Sequence, residues 1–276
     1  MDKELVNKLE KVAKEVRGLC LDIAFEKNPR ATHLGGALSS IEILVTLYFG
    51  IMKFDPKNPT WEDRDRFFLS KGHSILGYYI TLCKAGFFSI EQLYTYGNNG
   101  TLLPGHPVIN KKMGIEFTNG SLGLGLAVAI GHAIAAKRKG KSYKTFVLMG
   151  DGECNEGSVW EGAMAAPHFN LDNLTAIVDR NGYQQTGAGV DIMKNNNLRE
   201  KFASFGWEAL EIDGHSPEEI YRAMIYETTG KPRVIIANTI KGKGFSFTEG
   251  NNSWHHGVMT KELYQTGLQE MGTAND

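Results

Sequence analysis

The chain has 276 residues, long enough for one large or two small domains, and its 42% apolar and 22% charged residues are ordinary for a soluble globular protein. With 30 basic against 31 acidic residues the net charge is −1, so bulk electrostatics offer nothing to nucleic acid. Three cysteines, Cys20, Cys83 and Cys154, form no CxxC pair, which argues against a disulfide framework or zinc site and fits a reducing cytoplasm.

Leu5, Leu9, Val12, Val16, Leu19 and Ile23 recur at helical spacing and predict an amphipathic helix over 3–27, closed by Asn28-Pro29. The charged start (Asp2, Lys3, Glu4) is not that of a signal peptide. His33 then precedes Gly35-Gly36 in a loop suited to an anion or substrate, and an apolar helix follows from Ile41 to Phe49. Phe67-Phe68-Leu69 reads as a short strand that delivers Ser70-Lys71-Gly72-His73, with a helix over 75–84 behind it. Residues 86–103 are loop-rich. Pro104-Gly105-His106-Pro107 is a rigid turn presenting a histidine. Taken singly, each of these histidines is open to a structural or a functional role.

A glycine-rich approach, Asn119-Gly120-Ser121-Leu122-Gly123, enters a helix over 124–139 rich in alanine and glycine. Its loop is expected to cradle a phosphate, and its small-residue surface to serve as a self-contact. The run from Leu122 to Ala136 is too short for a comfortable membrane span. The basic cluster 137–141 suits a solvated helix end. Thr145–Met149 and Leu174–Val178 are strand-like and end in Gly150-Asp151-Gly152 and Asp179-Arg180-Asn181. Open parallel sheets bind ligands at such carboxyl ends. Asp151 and Asn181 offer hard oxygens suited to Mg²⁺ or Ca²⁺. A helix is predicted over 160–170, a polar loop over 184–200, a helix beginning at 201–205 and a strand over 207–212 ending in Asp213-Gly214-His215. A helix capped by Ser216-Pro217 and running to Thr229, a buried strand to Ala237 and a last helix over 260–269 complete the pattern. His255-His256 is read as a metal pair only weakly, because adjacent side chains point apart. The whole reads as one α/β domain over 1–276, a parallel sheet with helices on both faces.

The ordered set of His33 before Gly-Gly, Ser70-Lys-Gly-His73, Pro104-Gly-His106-Pro, Thr118-Asn-Gly120-Ser-Leu-Gly123, Gly150-Asp151-Gly with Glu156-Gly, the Asn181 turn and Lys241-Gly-Lys-Gly with His256-Gly resembles the diphosphate-binding, N-terminal domain of transketolase. The resemblance implies that Asp151, Asn181 and the Tyr183 carbonyl hold Mg²⁺ or Ca²⁺. It implies that His73, Gly120, Leu122, Gly152, Glu153, Asn181 and His256 bind thiamine diphosphate. His33, His106 and His256 would then serve donor-sugar chemistry, with Glu156 at a dimer interface. The implied reaction moves a two-carbon ketol unit from a ketose to an aldose. The residue after His33 is Leu34 where the family commonly has proline, which loosens that turn.

The pyrimidine-activating acid of transketolases lies in a second domain not represented in these residues. The resemblance therefore implies a separate C-terminal subunit carrying the pyrimidine-binding domain, sugar or sugar-phosphate substrates, and no nucleic-acid or membrane partner. The alternatives are another thiamine diphosphate enzyme, such as a deoxyxylulose-phosphate synthase or 2-oxo acid decarboxylase, or a non-catalytic regulatory subunit.

Overall fold

The structure is a computed structural model, described for residues 2–228 and 230–272. Helices are α1 Lys3–Glu26, α2 Leu34–Ser39, α3 Ile41–Thr46, α4 Ile75–Lys84, α5 Ile90–Leu93, α6 Leu124–Arg138, α7 Gly157–His168, α8 Gly189–Ile192, α9 Leu198–Ser204, α10 Pro217–Ile225 and α11 Lys261–Glu270. Strands are β1 Arg66–Leu69, β2 Thr145–Gly150, β3 Leu174–Arg180, β4 Glu208–Asp213 and β5 Arg233–Asn238. They form one sheet in the order β1-β2-β3-β5-β4, and every pairing is parallel.

Side chains alternate across a strand, so each strand feeds two cores. Phe67, Leu69, Phe146, Leu148, Ile177, Ile235 and Ala237 pack with residues of α1, α2, α3, α4 and α10. Phe68, Val147, Met149, Ala176, Val178, Val234 and Ile236 pack with residues of α6, α7 and α9. The continuous apolar runs in the sequence are the consequence: both faces of the sheet are covered, as a parallel sheet requires.

The strands end at one level. Gly150 pairs with Asp179, Asp179 with Ala237 and Ala237 with Ile212, so the loops that follow open on a common rim. The loop expected around His33 is shorter than the sequence indicates, because α2 begins at Leu34 and all six of its residues are buried. The apolar helix after Ile41 ends as a π-helical turn over Leu47–Ile51. α7 starts earlier than expected, at Gly157, with Glu156 as its N-cap. The expected polar loop 184–200 holds α8 and the start of α9, whose Asn197 side chain accepts the Glu200 N–H. α10 stops at Ile225, and the expected end at Thr229 lies outside the described residues, as do residues 273–276 at the end of the expected 1–276 domain. Among the described residues no helix is long and apolar enough to cross a membrane.

Close backbone approach fixes α6 against the end of β1. A Cβ at Gly125 would fall inside the Ser70 side chain and 2.8 Å from its Cα. Gly125→Ala is therefore expected to destabilise the fold by about 1–3 kcal/mol, the usual cost of overpacking, read as a lower urea midpoint.

Candidate active site

At the carboxyl rim lies a cavity of about 370 Å³. Its walls include His33, His73, His106, Gly120, Leu122, Asp151, Gly152, Glu153, Glu156, Asn181 and Tyr183, so eleven of the residues singled out from the sequence meet in one place. They arrive on separate elements: His33 at the head of α2, His73 in the turn after β1, Asp151 after β2 and Asn181 after β3.

Four histidine rings surround His33. Centroids of His73, His106 and His255 lie 5.8, 5.7 and 5.6 Å away, and that of His256 lies at 4.4 Å. His255 is in the cavity wall; His256 stands exposed beside His33. The sequence pattern points to His256 as the site histidine, and the structure brings both into the cluster. The loops carrying them are zipped to each other, since Thr32 N–H donates to Gly257 O at 2.8 Å and Gly257 N–H returns to Thr32 O at 3.0 Å. Burial, followed by the charges of its neighbouring histidines, lowers the His33 pKa to about 4. Burial and the Lys241 ammonium do the same for His255, also to about 4. Burial and Lys71 press His73 well below its ordinary value. These three imidazoles are neutral at pH 7. Lys241 Nζ lies 3.3 Å from His255 Nδ1, and an ammonium can only donate. His255 thus carries its proton on Nε2.

Asp151 is buried directly after β2. Its oxygens accept the N–H groups of Gly152 and Gly182 at 2.9 and 2.8 Å. Burial, then the nearby Asp179 carboxylate, still raises its pKa to about 6. Asn181 is oriented from beneath: its Nδ2 donates to Asp179 at 3.0 Å while Oδ1 accepts the Tyr183 N–H at 3.1 Å. Among the described residues no trio of His, Cys, Asp or Glu gathers as a metal cage, the histidine cluster included. The donors available are one carboxylate, one amide oxygen and a main-chain carbonyl. That set fits a hard cation that keeps other oxygens, from water or phosphate, in its shell. The cavity also fits an anion: Lys71 and Lys241 line it, and burial with Lys71 lowers the Lys241 pKa to about 8. Gly152 leaves needed room, since a Cβ there would meet Gln184 Cγ at 2.9 Å.

Two sequence expectations change in detail. The start of α6 is not a free phosphate cradle. Gly123 N–H donates to Glu153 Oε1 at 2.8 Å and Gly125 N–H to Ser70 Oγ at 3.1 Å. Glu153 lines the cavity, but its carboxylate is occupied by Ser70, Gly123 and Gly150 and braces the turn. Glu156 is exposed on the rim. Sequence reasoning does not assign site roles to Lys71, Lys241 or His255. The Ser-Lys-Gly-His and Lys-Gly-Lys-Gly motifs are the signal for the lysines.

Residues 8–274 match the transketolase thiamine diphosphate-binding domain. The chain belongs to the transketolase family. It is 44% identical to an apulose-4-phosphate transketolase subunit of Phocaeicola vulgatus, over 96% of this chain and 94% of that protein. It is 42% identical to the 6-deoxy-6-sulfo-D-fructose transketolase subunit SqwG of a Clostridium species, over 87% of this chain and 88% of that one. A solved transketolase from Leishmania mexicana superposes with a TM-score of 0.88 at 29% identity, covering 96% of this chain. The chain spans 41% of the length of that transketolase.

The raised Asp151 pKa gives a signed test. Its ordinary value is 3.8, so the folded carboxyl holds its proton more tightly than the unfolded chain does. Native stability must then fall as pH rises from about 4 to about 6, and the loss persists above that. Relative to Asp151→Asn, the unmutated chain without divalent cation is expected to lose roughly 2–3 kcal/mol across that window in urea unfolding. Added Mg²⁺ with thiamine diphosphate is expected to restore the loss only when Asp151 is present.

Proposed function

We propose that this chain is the diphosphate-binding subunit of a two-subunit transketolase, which moves a two-carbon ketol unit from a ketose to an aldose. The observation that carries this reading is the histidine cluster around His33 set against the Asp151–Asn181 oxygen pair in one cavity. Relatives matched over nearly their whole length are named as subunits, which supports a partner polypeptide for this one. The chain acts as one diphosphate-binding unit, and the pyrimidine end of the cofactor falls to the partner, with active sites at chain interfaces. A second copy of the chain takes part in the assembly, with Glu156 and the exposed side of α6 at the contact.

Asp151, Asn181 and the Tyr183 carbonyl hold Mg²⁺ (or Ca²⁺), and Lys241, His73, Gly120, Leu122, Gly152 and the turn braced by Glu153 receive the diphosphate. Thiamine diphosphate, when bound, supplies the nucleophilic carbon and the electron sink that carbon–carbon cleavage requires. The protein's share is orientation and proton movement. His33, neutral at pH 7, accepts a proton from a donor hydroxyl or returns one to it at the imidazole nitrogen. His106 and His256 flank His33 and orient the donor's first hydroxyls. His255 presents Nε2–H as a fixed donor. The ring cluster also displaces water from the reacting carbons. The three free cysteines suit the cytoplasm, where we place the enzyme.

Purified chain is expected to show no ketol transfer alone and to transfer from a ketose donor to an aldose acceptor once joined to a pyrimidine-domain subunit. His33→Ala in that complex should lower kcat by about 10²–10⁴-fold, the range for a lost acid–base group. Cofactor binding, followed by calorimetry, should stay within a few-fold. Transfer by the lone chain would sink the two-subunit reading, and an inactive complex with intact cofactor binding would sink the transketolase reading.

A further inference from the structure

The Asp213-Gly214-His215 motif lies at the end of the edge strand β4, outside the cavity wall, yet its imidazole is tied into a half-buried network that ends at the backbone on either side of Lys241. We propose that His215, held by Glu42 and Arg17, is a positioning residue that fixes Lys241 for an anionic diphosphate. The proposal rests on the cofactor reading given above and adds the part of the protein that holds the lysine.

The geometry runs in one direction. Gly214 N–H donates to Asn238 O at 2.8 Å, and a Cβ at Gly214 would lie 3.0 Å from Ala237 Cβ and 3.1 Å from Asn238 O. Only glycine lets this turn lie down on the end of β5. His215 is thereby brought over Ile240, whose N–H donates to His215 Nε2 at 2.8 Å. With Nε2 accepting, the ring proton sits on Nδ1 and is given to Glu42 Oε2 at 3.0 Å. Glu42 Oε1 accepts from Arg17 Nη2 at 2.6 Å, and Arg17 Nε donates to Lys243 O at 3.0 Å. The triad thus grips residue 240 on one side of Lys241 and residue 243 on the other. Between them, Gly242 N–H donates to Gly35 O at 2.9 Å, which joins the same loop to α2 behind His33. A side chain at Gly244, where φ is +112°, would occupy the space of Arg17.

What this grip fixes is the backbone on either side of a buried lysine. Lys241 is 2% exposed, with its ammonium 2.8 Å from Asn252 Oδ1 and 3.3 Å from His255 Nδ1. A four-carbon side chain gives up much rotamer freedom to bind an anion, and a loop that has already ordered it removes that cost from the binding step. A mere core ion pair would have no reason to hold the two backbone positions that bracket Lys241, one of the two lysines in the cavity wall.

The test is calorimetric titration of thiamine diphosphate in saturating Mg²⁺ into the complex of this chain, or of each variant, with its pyrimidine-domain subunit, with thermal melts to show that each is folded. His215→Ala is expected to weaken binding about tenfold, in the range usual for lost supporting contacts. His215→Gln, whose amide oxygen can replace Nε2 as the acceptor for Ile240 N–H, should stay within about threefold of the unmutated complex. Lys241→Met should lose at least as much as His215→Ala. The double variant His215→Ala/Lys241→Met should be no weaker than Lys241→Met alone, because His215 acts only through the lysine. Additive losses in the double variant, a Gln variant as weak as Ala, or an Ala variant that binds normally would each overturn the proposal. Should His215→Ala fail to fold, Glu42→Gln takes its place in the same cycle with the same expected non-additivity. An unmutated complex that binds no thiamine diphosphate would sink the cofactor reading itself, a different result from normal binding in the His215→Ala complex.

Discussion

Asp179 is wholly buried at the end of β3, and its two oxygens are shared among Lys71, Ser39, Asn181 and Thr239. Those partners come from the turn after β1, from α2, from the residue two places on and from the turn after β5. A charge removed from water in this way is tolerable only when it is paired and hydrogen-bonded throughout. Burial works to raise the Asp179 pKa, but the Lys71 charge and the hydroxyl hydrogen bonds outweigh it and hold the carboxyl below its ordinary value. Removing Lys71 leaves a buried charge uncompensated and removing any other partner leaves it short of a hydrogen bond, so the carboxyl ends of three strands and the helix behind His33 are bound into one unit. The Asn181 amide takes its direction from the same carboxylate, which links the sheet's architecture to the oxygen offered at the cavity.

Much of this is legible in the sequence because it follows from short-range rules. The apolar runs 145–149 and 174–178 fit strands covered on both faces, and the acids and amides at their ends then meet at the rim. His33 and His73 sit at recognisable element boundaries, and His106 sits in a turn bounded by Pro104 and Pro107. Element ends are less legible. α2 begins at Leu34 because its glycines pack in spaces that no side chain would fit: a Cβ at Gly36 would lie 2.7 Å from Ser74 Oγ. That tertiary fact has no local signature, so Gly-Gly reads as loop. The early start of α9 depends on Asn197 at a positive φ of 32°, a conformation that local propensity does not announce.

The choice between His255 and His256 is beyond periodicity. Neighbouring residues point apart on a regular strand or helix, but this pair sits where a 3₁₀ turn over Asn252–His255 gives way to extended backbone at His256. The change of conformation between them turns one ring into the cavity and the other alongside His33. Lys71 is equally hidden. The sequence places it, without a role, in a turn after a strand, and the fold buries it to 1% exposure against Asp179 and the Gly36 carbonyl.

The two acids at the sheet's rim divide the work between stability and chemistry. Asp179 has its counter-charge built in, and Asp151 does not: Lys71 is spent on the former, and the two N–H groups that reach the latter do not offset its burial beside a second carboxylate. A protein selected for stability alone would have no reason to keep Asp151 ionisable there. The position makes sense if the balancing positive charge arrives with a cation, whose binding energy then includes relief of the repulsion between the two acids. The lysines above pull in the same direction, since a lowered Lys241 pKa is also a cost that an incoming anion removes. On the proposed reading a cation and an anion would each find a preformed, energetically unsettled place, and each would be stabilised by the presence of the other.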